Sequence, residues 1–128
     1  LHADGRSAQE SLLKELDAAV GGFVDRMAKS ARGQGVVVAI YSEFGRRVRA
    51  NASDGTDHGT ASDVFLLGVP VRGGLYGEPP DLTDLDDGDL KFTTDFRDVY
   101  GTLLDGVLDT EPARVLDGWT GTVPRLLR

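Results

Sequence analysis

The side chains with most chemistry to offer lie in residues 36–59, VVVAIYSEFGRRVRANASDGTDHG. His58 stands beside Asp57 in a Gly-flanked loop. Imidazole suits zinc and other transition metals, and an adjacent carboxylate can be a co-ligand or can orient the ring. The plainer alternative is a surface histidine, with Asp57 serving only a turn. Glu43 directly follows an apolar run and can be a metal ligand or a general base. The plainer alternative there is an ion pair with Arg46 or Arg47. Arg46 can hold an anionic oxygen through charge-assisted hydrogen bonds. His2 is too near the terminus for pattern to decide. Asp84, Asp86, Asp87 and Asp89 could point to calcium. They lack the order of an EF-hand loop, so a solvated acidic loop is the better reading. Gly73-Gly74 is too short for a phosphate loop, and no nucleophile elbow is present.

The elements that must position these residues follow from periodicity. Residues 36–41 are continuously apolar and rich in β-branched residues, which predicts a strand buried on both faces of a parallel sheet. In open sheets of that kind, sites gather at the carboxyl ends of strands. Residues 64–69 predict a second such strand, ended by Pro70. The connection at 42–62 has no helical period, and a loop of that length is usually functional or mobile. Leu12, Leu16, Val20, Phe23 and Met27 recur at helical spacing and predict a helix over 8–31, opened by a Ser7–Glu10 capping box. Phe96, Val99, Tyr100, Leu103, Leu104, Val107 and Leu108 predict another helix, capped by Thr94. A short helical turn follows near 110–116, and residues 118–128 read as a tail. The layout is α/β: part of a mainly parallel sheet flanked by helices. Both strands need neighbours that the chain scarcely supplies. It belongs to a larger sheet, or it associates with another chain through its sheet edges.

Composition narrows the function classes. The 128 residues are enough for a single α/β domain, residues 1–128. A net charge of -7 argues against nucleic acid and against an anionic membrane surface. The absence of cysteine excludes disulfides and cysteine metal sites. No apolar run approaches the roughly 18 residues of a membrane span.

Several stretches together resemble one family: Ser42-Glu43-Phe44-Gly45-Arg46; residues 55–61, GTDHGTA; residues 71–77, VRGGLYG; and residues 95–100, DFRDVY. They are similar to the bacterial domain-of-unknown-function 1501 family, placed in the alkaline phosphatase and sulfatase-like superfamily. The resemblance covers nearly all of the chain. Members are considerably longer, so it implies a C-terminal fragment of an alkaline phosphatase-like domain, inactive by itself. They are often exported, which implies a periplasmic or extracellular location. The superfamily implies a divalent metal pair (zinc, manganese or calcium) and hydrolysis of phosphate or sulfate esters, with the nucleophile upstream. In that alignment Glu43-Phe44 stands where the superfamily has an Asp-His pair, and His58 matches its later lone histidine. His2 matches the histidine of an Asp-x-His pattern. The implied metal ligands are therefore His2, Glu43, Asp57 and His58, and Arg46 would bind the anionic ester. Phe44 cannot bind a metal, which leaves one superfamily ligand missing. That departure implies the rival reading, a binding or structural protein that kept the fold and lost the chemistry.

Overall fold

A computed structural model describes residues 5–128. Its helices are α1 (Gly5–Ala28), α2 (Phe96–Gly106) and α3 (Pro112–Val115). Its strands are β1 (Val38–Ile40), β2 (Gly45–Ala50), β3 (Thr56–Gly59), β4 (Phe65–Leu67), β5 (Leu85–Asp86) and β6 (Asp89–Leu90).

The strands correct the expected fold class. They form three sheets of two strands each, β1–β4, β2–β3 and β5–β6, and every pairing is antiparallel. A mainly parallel, alkaline phosphatase-like sheet is therefore not supported. The two apolar runs do become strands, β1 and β4, paired as Val38↔Leu67, Ala39↔Leu66 and Ile40↔Phe65. Parallel partners need a crossover, usually helical, between them. Here the intervening chain instead folds into the β2–β3 hairpin and returns in the opposite direction. The long connection expected to lack structure is that hairpin. An apolar run fixes where a strand lies but not which way its partner runs.

Helix α1 already runs through Ser7, so the Ser7–Glu10 box does not open it. Glu10 instead accepts from Lys14 at 2.7 Å, one turn on. Among the described residues, α1 packs through its last turns. Phe23, Val24 and Met27 line one apolar recess with Val36, Val38, Gly68 and Val69. At Gly68 (φ 141°) a side chain would run into the Val36 carbonyl, so the exit from β4 requires glycine. Further out, Leu12 stays 58% and Leu16 42% exposed.

The C-terminal part is tied differently. Asp95 rather than Thr94 caps α2, accepting from the Arg97 amide at 2.9 Å. One turn on, the buried Thr102 hydroxyl donates to the Asp98 carbonyl (2.7 Å) and accepts from the Val123 amide (2.8 Å). Trp119 Nε1 donates to Asp98 Oδ1 at 2.9 Å, and the Arg97 guanidinium lies 3.7 Å over the indole. The expected tail is thus structural: Leu127 bridges to Val71, and the Arg72 amide donates to the Leu126 carbonyl. Val71 (9% exposed) and Leu126 (6%) are the buried large apolar side chains among the described residues. Aspartates turn several corners: Asp54, Asp87 and Asp117 hold φ values of 55°, 48° and 49°, each just before a glycine. The Asp87-Gly88 pair closes the β5–β6 hairpin inside what the sequence presents as an acidic loop.

Candidate functional site

The β2–β3 hairpin carries the candidate residues, and its turn explains their placement. Asn51 Oδ1 accepts from the Ser53 amide (3.0 Å) and the Gly55 amide (3.1 Å). The Asn51 amide donates to the Gly55 carbonyl at 2.8 Å. One asparagine side chain therefore closes the turn, as short polar side chains do when they imitate backbone. The ladder that results pairs Gly45↔Gly59, Arg46↔His58 and Ala50↔Thr56, with an irregularity between Arg46 and Ala50. At Gly45 there is no room for a Cβ against the Ala61 backbone, so the base of the hairpin requires glycine.

Direct pairing brings Arg46 and His58 to the same face. Phe44 joins them: its ring stacks on the His58 imidazole with centroids 3.7 Å apart and planes 14° from parallel. The Arg46 guanidinium lies 5.4 Å from the Phe44 ring centre, and its Nη1 donates to the Thr56 carbonyl at 2.8 Å. That contact engages one of five N–H donors. His58 is exposed and Arg46 half-buried. The result is a cation beside an imidazole on an aromatic floor, open to solvent.

Asp57 lies on the other face, because consecutive strand residues alternate. Its Oδ1 accepts from Asn51 Nδ2 at 3.0 Å. Glu43 is exposed and makes none of the expected ion pairs. Arg47 reaches Asp89 Oδ1 (3.2 Å) and the Asp87 carbonyl (3.1 Å) instead. His2 lies outside the described residues.

Glu43, Asp57 and His58 do not gather into a metal site among the described residues. Among the described residues no group of three or more His, Asp or Glu side chains could hold a metal ion. Asp57 and His58 diverge, and the residue directly across from His58 is a permanent cation, which repels a metal. The same geometry favours an anion. The acidic loop does not supply a cation site either. Asp81 accepts from the Thr83 amide and hydroxyl and from the Asp84 amide, and these bonds hold its carboxyl below the usual range. Asp84 is paired with Lys91.

Sequence reasoning put Arg46 and His58 in one site, at the carboxyl end of a parallel strand, whereas the structure pairs them directly across an antiparallel hairpin. It treated Phe44 as a missing ligand, whereas the ring supports His58. The turn signal in Asn51-Ala52-Ser53-Asp54-Gly55 was the clue available. A second recess, of about 240 Å³, lies between α2 and the C-terminal segment. Thr102, Asp105 and Arg125 line it, well apart in sequence from the hairpin.

The model of a family described as a protein of unknown function, DUF1501, matches residues 1–121. Neither the comparison with curated proteins nor that with solved structures gives a match. No helix among the described residues is long and apolar enough to cross a membrane.

Proposed function

This chain belongs to the DUF1501 family, and we propose that its β2–β3 hairpin binds the anionic group of a small phosphate or sulfate ester. One observation carries the reading: Arg46 pairs directly with His58, and Phe44 stacks beneath the imidazole. Arg46 retains donors for oxygens in a planar fork. The His58 imidazole lies directly across from Arg46, and Phe44 fixes the plane of its ring. Asp57, turned to the other face, does not compete for the guanidinium.

The test is a titration of labelled protein with inorganic phosphate, sulfate and phenyl phosphate, followed by amide and side-chain resonances. Saturable shifts centred on Arg46 and His58 are expected. Arg46→Gln should weaken binding by roughly tenfold or more, the usual cost of a lost charged hydrogen bond. Shifts that never saturate, or that centre elsewhere, refute the reading.

A second reading is hydrolysis of such esters with a divalent metal (zinc, manganese or calcium). The family match over residues 1–121 and the resemblance of the chain's motifs support it. It needs metal ligands beyond Glu43, Asp57 and His58. Metal-dependent turnover of phosphate or sulfate esters that is lost with His58→Ala would favour it. Binding without turnover, indifferent to metal, leaves the hairpin as a binding element.

A further inference from the structure

Asp54, Asp87, Asp109 and Asp117 hold positive φ, and aspartate tolerates that region. Arg125 holds it too, at φ 62°, and a long side chain has no such tolerance. Strain of this kind persists where the surroundings fix it, and it gathers at binding sites. Here the surroundings do fix it. The Tyr76 hydroxyl donates to the Arg72 carbonyl (2.8 Å) and lies 3.1 Å from the Arg125 carbonyl. On one side of Arg125 the Leu126 carbonyl accepts from the Arg72 amide at 2.9 Å. On the other the Val123 amide donates to the Thr102 hydroxyl at 2.8 Å.

The strained residue lines the recess of about 240 Å³ between α2 and the C-terminal segment, and Asp105 lines it as well. Neither side chain makes an ion pair or a hydrogen bond among the described residues. Asp105 stands in the last turn of α2, where the helix dipole favours a cation over a carboxylate. That turn holds no basic residue to offset it. One small recess is therefore lined by a carboxylate at a negative helix end and by an unpaired guanidinium. Thr122 adds a hydroxyl, while Val123, Pro124 and Leu127 supply apolar wall.

We propose that this recess binds a small α-amino acid as its zwitterion. Asp105 and the carboxyl end of α2 attract the ammonium. Arg125 takes the carboxylate, which suits its planar fork of donors, and the Thr122 hydroxyl assists. A simple anion would be repelled by Asp105 and a simple amine by Arg125, so a ligand with both charges is preferred to either half. The volume sets the size: it falls below the roughly 300–1,000 Å³ of sites for drug-sized ligands. The apolar wall suits a short aliphatic side chain. The site is separate from the β2–β3 hairpin and does not rest on the reading given for it.

The test is a resonance titration of the full chain with L-leucine, with isocaproate (leucine without its amine) and with isoamylamine (leucine without its carboxylate). Saturable shifts at residues 102–106 and 122–127 are expected with leucine, and binding at least tenfold weaker with each half. Asp105→Asn and Arg125→Gln should each weaken leucine binding by about tenfold. Arg125→Gly separates the site from the fold. Glycine adopts φ 62° freely, so circular dichroism should be retained while leucine binding falls as in Arg125→Gln. Leucine shifts that never saturate, or that centre elsewhere, overturn the proposal. So does either half binding as tightly as leucine, because one of the two charges then contributes nothing. Undiminished leucine binding in Arg125→Gly or Asp105→Asn does so as well.

Discussion

The two long helices are stabilised in opposite ways. Helix α1 has 24 residues and a continuous apolar stripe, yet among the described residues its packing is confined to the last turns. Helix α2 has 11 residues and is tied along its length by named polar contacts: an Asp95 cap, the Asp98–Trp119 bond and the Thr102–Val123 bond. In water an apolar stripe contributes only where it is covered. Length and amphipathicity therefore do not rank these helices; partners do. The polar clasp on α2 stands in for a core that the described residues scarcely provide.

The comparison can be broken most forcefully at Trp119. Trp119→Ala removes the Asp98 partner and the plate beneath Arg97, and should cost about 2–4 kcal/mol in urea unfolding. A loss under ~0.5 kcal/mol would mean that the clasp is incidental. Next comes Thr102→Val, which keeps the shape but leaves the Val123 amide without its acceptor. About 1–2 kcal/mol is expected by the same measurement.

The cap of α2 gives a smaller, pH-dependent effect. The Asp95 carboxyl is lowered from 3.8 to about 2, chiefly by the Arg97 side chain and then by the Arg97 amide. A pKa lower in the folded than in the unfolded state means that the folded chain releases the proton more readily. The resulting stabilisation is complete above the unfolded value and is lost as pH falls through the folded one. Thermal melts between pH 5 and pH 2 should show that loss, and Asp95→Asn should flatten it. An identical pH profile in the variant would remove Asp95 from the account.

The smallest effect is expected on α1. Leu12→Gln, at a position 58% exposed, should stay within about 0.5 kcal/mol of the parent. A large loss there would mean that the stripe is already covered within one chain, and the contrast between the helices would collapse.

What could be read from the residues follows the same division. Helix α2, the turn at α3 and the locations of β1 and β4 were legible because periodicity and apolar runs mark them directly. Strand direction was not, since VVVAIY has the same apolarity whichever way its partner runs. The β2–β3 hairpin escaped because Arg46, Arg47 and Arg49 hide the alternation that marks a strand. The packed end of the chain escaped because Leu126 and Leu127 are too few to show a period. At the candidate site, neighbours in sequence misled: Asp57 and His58 diverge, whereas Arg46 and His58, twelve positions apart, meet.

The aspartates at the corners have a consequence for the protein's shelf life. In an Asp-Gly step the following backbone nitrogen can attack the side-chain carboxyl with little steric hindrance, closing a five-membered imide that reopens to isoaspartate. The chain has five such steps, at Asp4, Asp54, Asp87, Asp105 and Asp117; Asp54, Asp87 and Asp117 lie in the left-handed region, and Asp105 is held within α2. Chemical ageing should therefore begin where the backbone turns. Each event would insert an extra backbone carbon at a hinge between elements, loosening a hairpin or a helix end before any packed side chain is touched.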